Sequence, residues 1–145
     1  MLIENPSTYL QYAHSTLSEW EFLIAVAERA GCGILLDINN VYVSAHNQGF
    51  DPLQYVHAIP PALVGEIHLA GHLVRQVGTR RILIDTHDTR VCREVWDLYA
   101  ASLLHLGARP TLIEWDAALP RLDVLLEEAR MAEMHLERQR ASIAA

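Results

Sequence analysis

The chain has 145 residues, 51% hydrophobic and 20% charged, the balance of a soluble globular protein able to bury one core. No apolar run approaches the about 20 residues needed to cross a bilayer, so no membrane partner is expected. The formal net charge is −7 and all eleven basic residues are arginine, which argues against a phosphate-backbone binder, and no nucleic-acid partner is expected.

Leu2-Ile3 forms a short first strand ending at Glu4, and Pro6 biases Asn5 away from helix, which marks a strand exit. No basic start followed by an apolar stretch is visible in residues 1–15, so the cytoplasm is the expected location. Trp20, Leu23, Ile24, Ala27 and Ala30 follow helical spacing, with Ser18 to cap the start and Gly31 to end it. Residues 33–38 are too short and too continuously apolar for an exposed helix and predict a second strand, followed by a polar loop over 41–50. Asp51-Pro52 opens a short helix that Pro60-Pro61 closes. Val64–Leu69 is the third strand, 71–80 a loop and 81–84 a short fourth strand. Val91, Val95, Leu98, Tyr99, Ser102 and Leu106 resume the helical period, which Gly107 stops. A fifth strand over 109–115 precedes a long helix opened by Pro120, with Leu122, Leu125, Leu126 and Ala129 on one side; its tail, 141–145, is expected to fray.

Strands alternating with helices predict an α/β class with parallel strands and crossover helices. No linker or repeat divides the chain, so 1–145 reads as one domain. About five strands are too few to close an eight-stranded barrel, and the expectation is a partial TIM-type barrel.

Each of the five apolar runs ends in an acid or a histidine: Glu4, Asp37, His68, Asp85 and Glu114. A parallel barrel gathers such residues at one mouth, which makes a metal centre the first hypothesis. Asp37 follows Ile34-Leu35-Leu36 without a break, and a buried carboxylate needs a cation, a proton or a donor cluster, here the amides of Asn39 or Asn40. Glu114 poses the same problem, and two buried acids repel without a cation. His68 shares a strand face with residues 64 and 66, while His72 comes from the loop beyond. Asp85 and His87 offer two ligand types on one face, and Asp88 is expected to cap the following helix.

The remaining aromatic and sulfur residues invite simpler readings. His14, His57, His105 and His135 suit surface or packing roles, whereas His46, in the loop after the second strand, can line a channel. Trp20, Trp96 and Trp115 are packing residues, with Trp115 placed to wall a pocket beside Glu114. Cys32 and Cys92 match no zinc or redox spacing and read as buried small hydrophobes. A site of oxygen and imidazole ligands without thiolate favours iron, manganese or zinc.

Five motifs together resemble the multinuclear non-heme iron-dependent oxidative enzymes of the methanobactin biosynthesis oxidase type. They are Glu-Asn-Pro-Ser at 4–7, Gly-Cys-Gly-Ile-Leu-Leu-Asp-Ile-Asn-Asn at 31–40, Ile-His-Leu-Ala-Gly-His at 67–72, Ile-Asp-Thr-His-Asp at 84–88 and Leu-Ile-Glu-Trp-Asp at 112–116. The resemblance implies a barrel of the xylose isomerase type holding two or three irons in a complete site, and fewer where only part of the site is present. It also implies oxidative modification of cysteine in a ribosomally synthesised precursor peptide, with a partner protein that can present the peptide. By that resemblance Glu4, Asp37, His68 and Glu114 match ligands of one iron, Glu4 also bridging to a second, and Asn40, His72, Asp85 and His87 match the surroundings of a further one. Members of the family are much longer, and this chain resembles only their carboxyl-terminal part. The expectation is therefore a truncated portion of such an enzyme, whose open sheet edges favour a homo-oligomer. Two rivals stand beside the oxidative reading: a metal-dependent hydrolase or isomerase on the same scaffold, and a non-catalytic remnant or partner-binding fragment.

Overall fold

Strand β1 (Leu2–Glu4) opens the chain in the computed structural model, which describes residues 1–144. Helix α1 (Glu19–Ala30) starts at a capping box: Ser18 Oγ accepts the Glu21 amide at 3.3 Å, and the Glu21 carboxylate accepts the Ser18 amide at 2.7 Å. Gly31 ends it in the left-handed region, φ 64°. Strand β2 (Gly33–Asp37) follows, and Asp37 is at once its last residue and the N-cap of helix α2 (Ile38–Gln48). The loop expected over 41–50 is thus mostly helix. Ile38, Val41 and Ala45 recur at helical spacing and are buried, a stronger force than the polar composition of the segment. His46 accordingly lies exposed on α2, not in a loop.

Helix α3 (Pro52–Ala58) has the expected Asp51 cap and proline start, and a 3₁₀ turn (Pro61–Leu63) leads into β3 (Val64–Leu69). The next segment departs from the sequence reading. Leu73–Val77 is strand β4, inside the stretch expected as a loop, and it pairs antiparallel with β5 (Arg80–Ile84). The expected fourth parallel strand is therefore the second arm of a hairpin. Its turn, Gly78-Thr79, has Gly78 at φ 59°, the left-handed geometry that a two-residue hairpin turn demands. Helix α4 (Arg93–Leu106) is N-capped by Cys92, without a side-chain cap, rather than by Asp88, whose carboxylate accepts the Thr86 hydroxyl. Strand β6 (Thr111–Ile113) and helix α5 (Leu122–Ala144) complete the fold. The tail at 141–145 falls on the last turn of α5 and on Ala145, which lies outside the described residues.

The parallel sheet has four strands, not five, in the order β1-β2-β3-β6. It is an α/β fold compatible with part of a TIM-like barrel. Ile34, Leu36, Ile67 and Leu69 of the sheet pack on Val41, Tyr55, Val95, Tyr99 and Leu103 of the helices, all nearly or fully buried. Each such side chain contributes roughly 1.5–3 kcal/mol on burial. Cys32 and Cys92 are only partly buried, at the margin of this core. Among the described residues no helix is long and apolar enough to cross a membrane.

Candidate metal centre

Parallel register carries the ligand-type residues to one end of the sheet. Glu4 pairs with Leu35, Asp37 with His68, and His68 with Leu112, so Glu4 and Asp37 end their strands and His68 stands one residue from the end of the neighbouring one. Glu114 follows β6 directly, and its amide extends the ladder to Leu69 O at 2.9 Å. Glu4, Asp37, His68 and Glu114 each offer a ligand atom, all within 4.8 Å of one another.

Asp37 is fully buried. Its Oδ1 accepts the Asn40 amide at 2.7 Å, while its Oδ2 is buried without a partner. Asn5, also fully buried, clamps the ends of β1 and β2 together: its side chain accepts the Asp37 amide at 2.8 Å and donates to the Asp37 carbonyl at 3.0 Å. Asn40 Nδ2 donates to the Asn5 carbonyl at 3.0 Å, which leaves Asn40 Oδ1 buried and unpaired. The orphaned oxygen of Asp37 marks a position where a cation would sit.

His68 Nδ1 lies 3.3 Å from Glu114 Oε2, and its Nε2 lies 3.5 Å from Glu66 Oε1. The same Glu114 oxygen is 3.2 Å from His87 Nδ1, which also faces Asp116 Oδ2 at 3.4 Å. His87, Glu114 and Asp116 make a second group of converging ligand atoms that shares Glu114 with the first. His87 Nε2 approaches Asp85 Oδ1 to 2.6 Å, though not in hydrogen-bond alignment. The backbone at His87 is in the left-handed region, φ 47°, held there because its amide donates to Gly71 O at 3.1 Å and its carbonyl accepts the Asp116 amide at 2.7 Å.

His72 and Asp85 border these groups and are joined by Asn39. Asn39 Nδ2 donates to Asp85 Oδ1 at 2.7 Å, so its Oδ1 must face His72 Nδ1, 2.8 Å away. A carbonyl oxygen only accepts, so His72 carries its proton on Nδ1 and presents a bare lone pair on Nε2. Burial also pulls His72 below the usual imidazole range, which keeps the ring neutral. Tyr42 packs beside it, ring centroids 5.4 Å apart.

Without a cation the carboxylates are poorly compensated. Burial pushes Asp37 up to about 8 against the pull of the Asn40 amide. Burial, then the nearby Glu114 charge, raises Glu4. Burial opposes charge on His87, yet Asp85 and the surrounding carboxylates raise it to about 9. An oxygen-and-imidazole set with one orphaned carboxylate oxygen fits a divalent metal.

Of the eight residues singled out from sequence, Glu4, Asp37, His68 and Glu114 converge in one group. His87 falls in the adjoining one, His72 and Asp85 flank both, and Asn40 turns towards Asn5. Sequence reasoning missed Asp116, Asn39, Asn5 and Glu66. Asp116 stands in the Leu-Ile-Glu-Trp-Asp motif, and Glu66 shares the strand face of His68, so both carried a signal. His57 and His105 pack against each other, and His135 stacks on Trp96, all in the structural roles expected. Trp115 Nε1 is buried without a partner beside Glu114.

The sequence matches the family described as RiPP precursor modification enzyme MbnB/TglH/ChrH over residues 1–137. Similar proteins include a UPF0276 protein of Vibrio vulnificus, 56% identical over 133 residues, which cover 92% of this chain and 46% of that protein. A UPF0276 protein of Acaryochloris marina is 50% identical over 136 residues, 94% of this chain and 48% of its own length. One from Rhizobium meliloti is 47% identical over 144 residues, 99% and 47% respectively. The chain thus spans about half the length of the curated relatives it matches. With the motifs in order and the match almost end to end, the chain belongs to the MbnB/TglH/ChrH family of RiPP precursor modification enzymes.

Proposed function

We propose that this chain carries an iron centre for the oxidative modification of cysteine in a ribosomally synthesised precursor peptide. The observation that carries the reading is the convergence of ligand atoms of Glu4, Asp37, His68 and Glu114 within 4.8 Å of one another, in a group whose Asp37 keeps a buried oxygen without a hydrogen-bond partner. Membership of the family supports a peptide substrate. A bound iron centre supplies one-electron redox exchange with dioxygen and with substrate sulfur. Manganese and zinc suit the same donor set.

Glu4, Asp37, His68 and Glu114 hold the first ion in this reading. His87, Glu114 and Asp116 would hold a second, and His72, neutral with its Nε2 lone pair free, is a further donor bordering the site. Asn5 and Asn39 fix the directions of Asp37 and His72 by hydrogen bonds, as supporting groups do around metal ligands. Glu4 and Asp116 are exposed, whereas Asp37 is closed off, so a peptide thiol approaches across the Glu4–Asp116 rim.

The test is anaerobic purification with iron, manganese and zinc measured per chain. At least one iron per chain is expected, and about a hundredfold weaker retention in His68→Ala. Full metal content in that variant rejects the ligand assignment. Oxygen uptake driven by a cysteine peptide then separates this function from hydrolysis or isomerisation, which proceed without oxygen.

A homo-oligomer belongs to the same proposal. Strands β1 and β6 are the open edges of the sheet, and Leu2, Leu112, Leu122 and Leu126 are exposed near them or on α5. Unpaired strand edges and exposed apolar side chains favour association. Sedimentation velocity is expected to give at least a dimer, and one monomer mass across the concentration range rejects it.

A further inference from the structure

We propose that the β4–β5 hairpin is the docking ribbon for the peptide, and that it takes an acidic, extended segment added as a third strand along the outer edge of β4. This rests on the peptide-modifying reading above and names where and how that substrate is held.

The two edges of the ribbon differ. On β5, the Leu83 amide donates to Asn47 Oδ1 at 3.0 Å and the Leu83 carbonyl accepts from Asn47 Nδ2 at 2.9 Å, so a side chain of α2 closes that edge. Leu83 therefore points its backbone groups away from β4, and Val74, directly opposite, points its own groups away from β5. Two residues on, Gln76 does the same. Every residue of β4 is exposed. The outer edge of β4 thus presents the N–H and C=O of Val74 and Gln76 to any chain laid beside it, the arrangement used in strand addition.

Charge selects the occupant. Arg75, Arg80 and Arg81 stand on this ribbon, and residues 73–84 hold no acid, in a chain whose net charge is −7. The ion pairs of the arginines among the described residues belong to Arg90, Arg93 and Arg121, so the three on the ribbon are free of acidic partners. Arg75 shares a face with Arg80, and Arg81 lies on the other, so acidic residues on an added strand find a guanidinium on either face. A second copy laid edge to edge would bring like charges together, which disfavours self-pairing. An acidic peptide meets no such penalty.

The ribbon is rooted in the site at both ends. His72 precedes β4 and Asp85 follows β5. An antiparallel guest, the more stable pairing, runs from the hairpin tip towards His72 and delivers its carboxyl-terminal end to the metal ligands. At about 3.4 Å per residue the five residues of β4 span roughly 17 Å, which puts the acidic segment about five residues upstream of the modified one.

The experiment measures fluorescence anisotropy of a labelled peptide, glutamate alternating with valine and ending in cysteine, against the iron-loaded full chain under anaerobic conditions. A twin peptide carries lysine for glutamate, and metal per chain is measured in every sample. The glutamate peptide is expected to bind and the lysine peptide not. Val74→Pro, which removes an outward amide, is expected to weaken binding about tenfold or more. The exposed triple variant Arg75→Glu, Arg80→Glu, Arg81→Glu is expected to do the same and to admit the lysine peptide, with metal content unchanged in both variants. Equal binding of the two peptides, binding of neither, or no loss in the triple variant overturns the proposal. If the pattern holds in a chain that retains no iron, the docking surface stands and the iron reading falls.

Discussion

Asp37→Asn is expected to make the metal-free protein more stable while abolishing its hold on metal. Asparagine keeps the shape and the oxygen that accepts the Asn40 amide, but removes a buried charge that the Asn40 amide and the nearby His87 offset only in part. Burial raises Asp37 from an ordinary 3.8 to about 8. An acid raised on folding ionises more readily in the unfolded chain, so the metal-free protein loses stability as pH climbs from about 4, and the loss is complete above about 8. His87 slopes the same way: raised from 6.5 to about 9, it stabilises the fold below 6.5 and loses that contribution as pH rises through about 9. Chelator-treated wild type should therefore unfold ever more easily from pH 5 to 9, and Asp37→Asn should flatten the slope and gain a few kcal/mol at pH 8. A metal ligand and a stability liability are the same group here. A variant that loses metal without gaining metal-free stability shows that the carboxylate was already compensated.

That conflict is what made the site readable from the sequence. A carboxylate at the end of an unbroken apolar run, as after Ile34-Leu35-Leu36, is costly, and the cost points to a ligand. The same logic found Glu114 and, through strand periodicity, His68. It could not find Asn39 or Asn5, because asparagine carries no charge whose burial needs an explanation. Their roles come from the meeting of separate strands and loops: Asn39 joins His72 to Asp85, 33 and 46 residues away. Asp116 escaped for the opposite reason: although it shares a motif with Glu114, it is exposed, and an exposed loop acid carries no burial cost to explain.

The fold was legible wherever burial and local chemistry agree. Ser18 announces a helix start and Asp51-Pro52 another, and both stand as expected, the first completed by Glu21 into a capping box. Residues 38–48 were misread because Asn39 and Asn40 signal a turn by propensity. Here their amides make tertiary hydrogen bonds instead, and Asp37 supplies the cap that lets the helix begin. Residues 81–84 look like any short buried strand. What assigns them to a hairpin is Gly78-Thr79, which lets β5 pair with the segment just before it at a lower loop-closure cost than a crossover.

Gly71→Ala is expected to cost about 3 kcal/mol and to loosen the second ligand group. A Cβ at Gly71 would fall inside contact distance of the Thr89 carbonyl and hydroxyl, and a backbone atom cannot swing aside as a side-chain tip can. The segment that must yield runs from Asp85 to Thr89 and carries His87, whose amide is bonded to the carbonyl of Gly71 itself. A shift there separates His87 from Glu114 and Asp85 from Asn39 together. Gly49→Ala is the control, because Gly49 has φ 80° but nothing within 4 Å of its Cβ position. It should show only the strain of a left-handed alanine, about 1 kcal/mol, with metal content intact. Urea unfolding of the two variants beside metal analysis separates close approach from conformational strain. Equal losses would mean that the glycine in Ile-His-Leu-Ala-Gly-His serves its own backbone alone; a larger loss at Gly71, with metal released, means that the site is held together through the glycine's missing side chain.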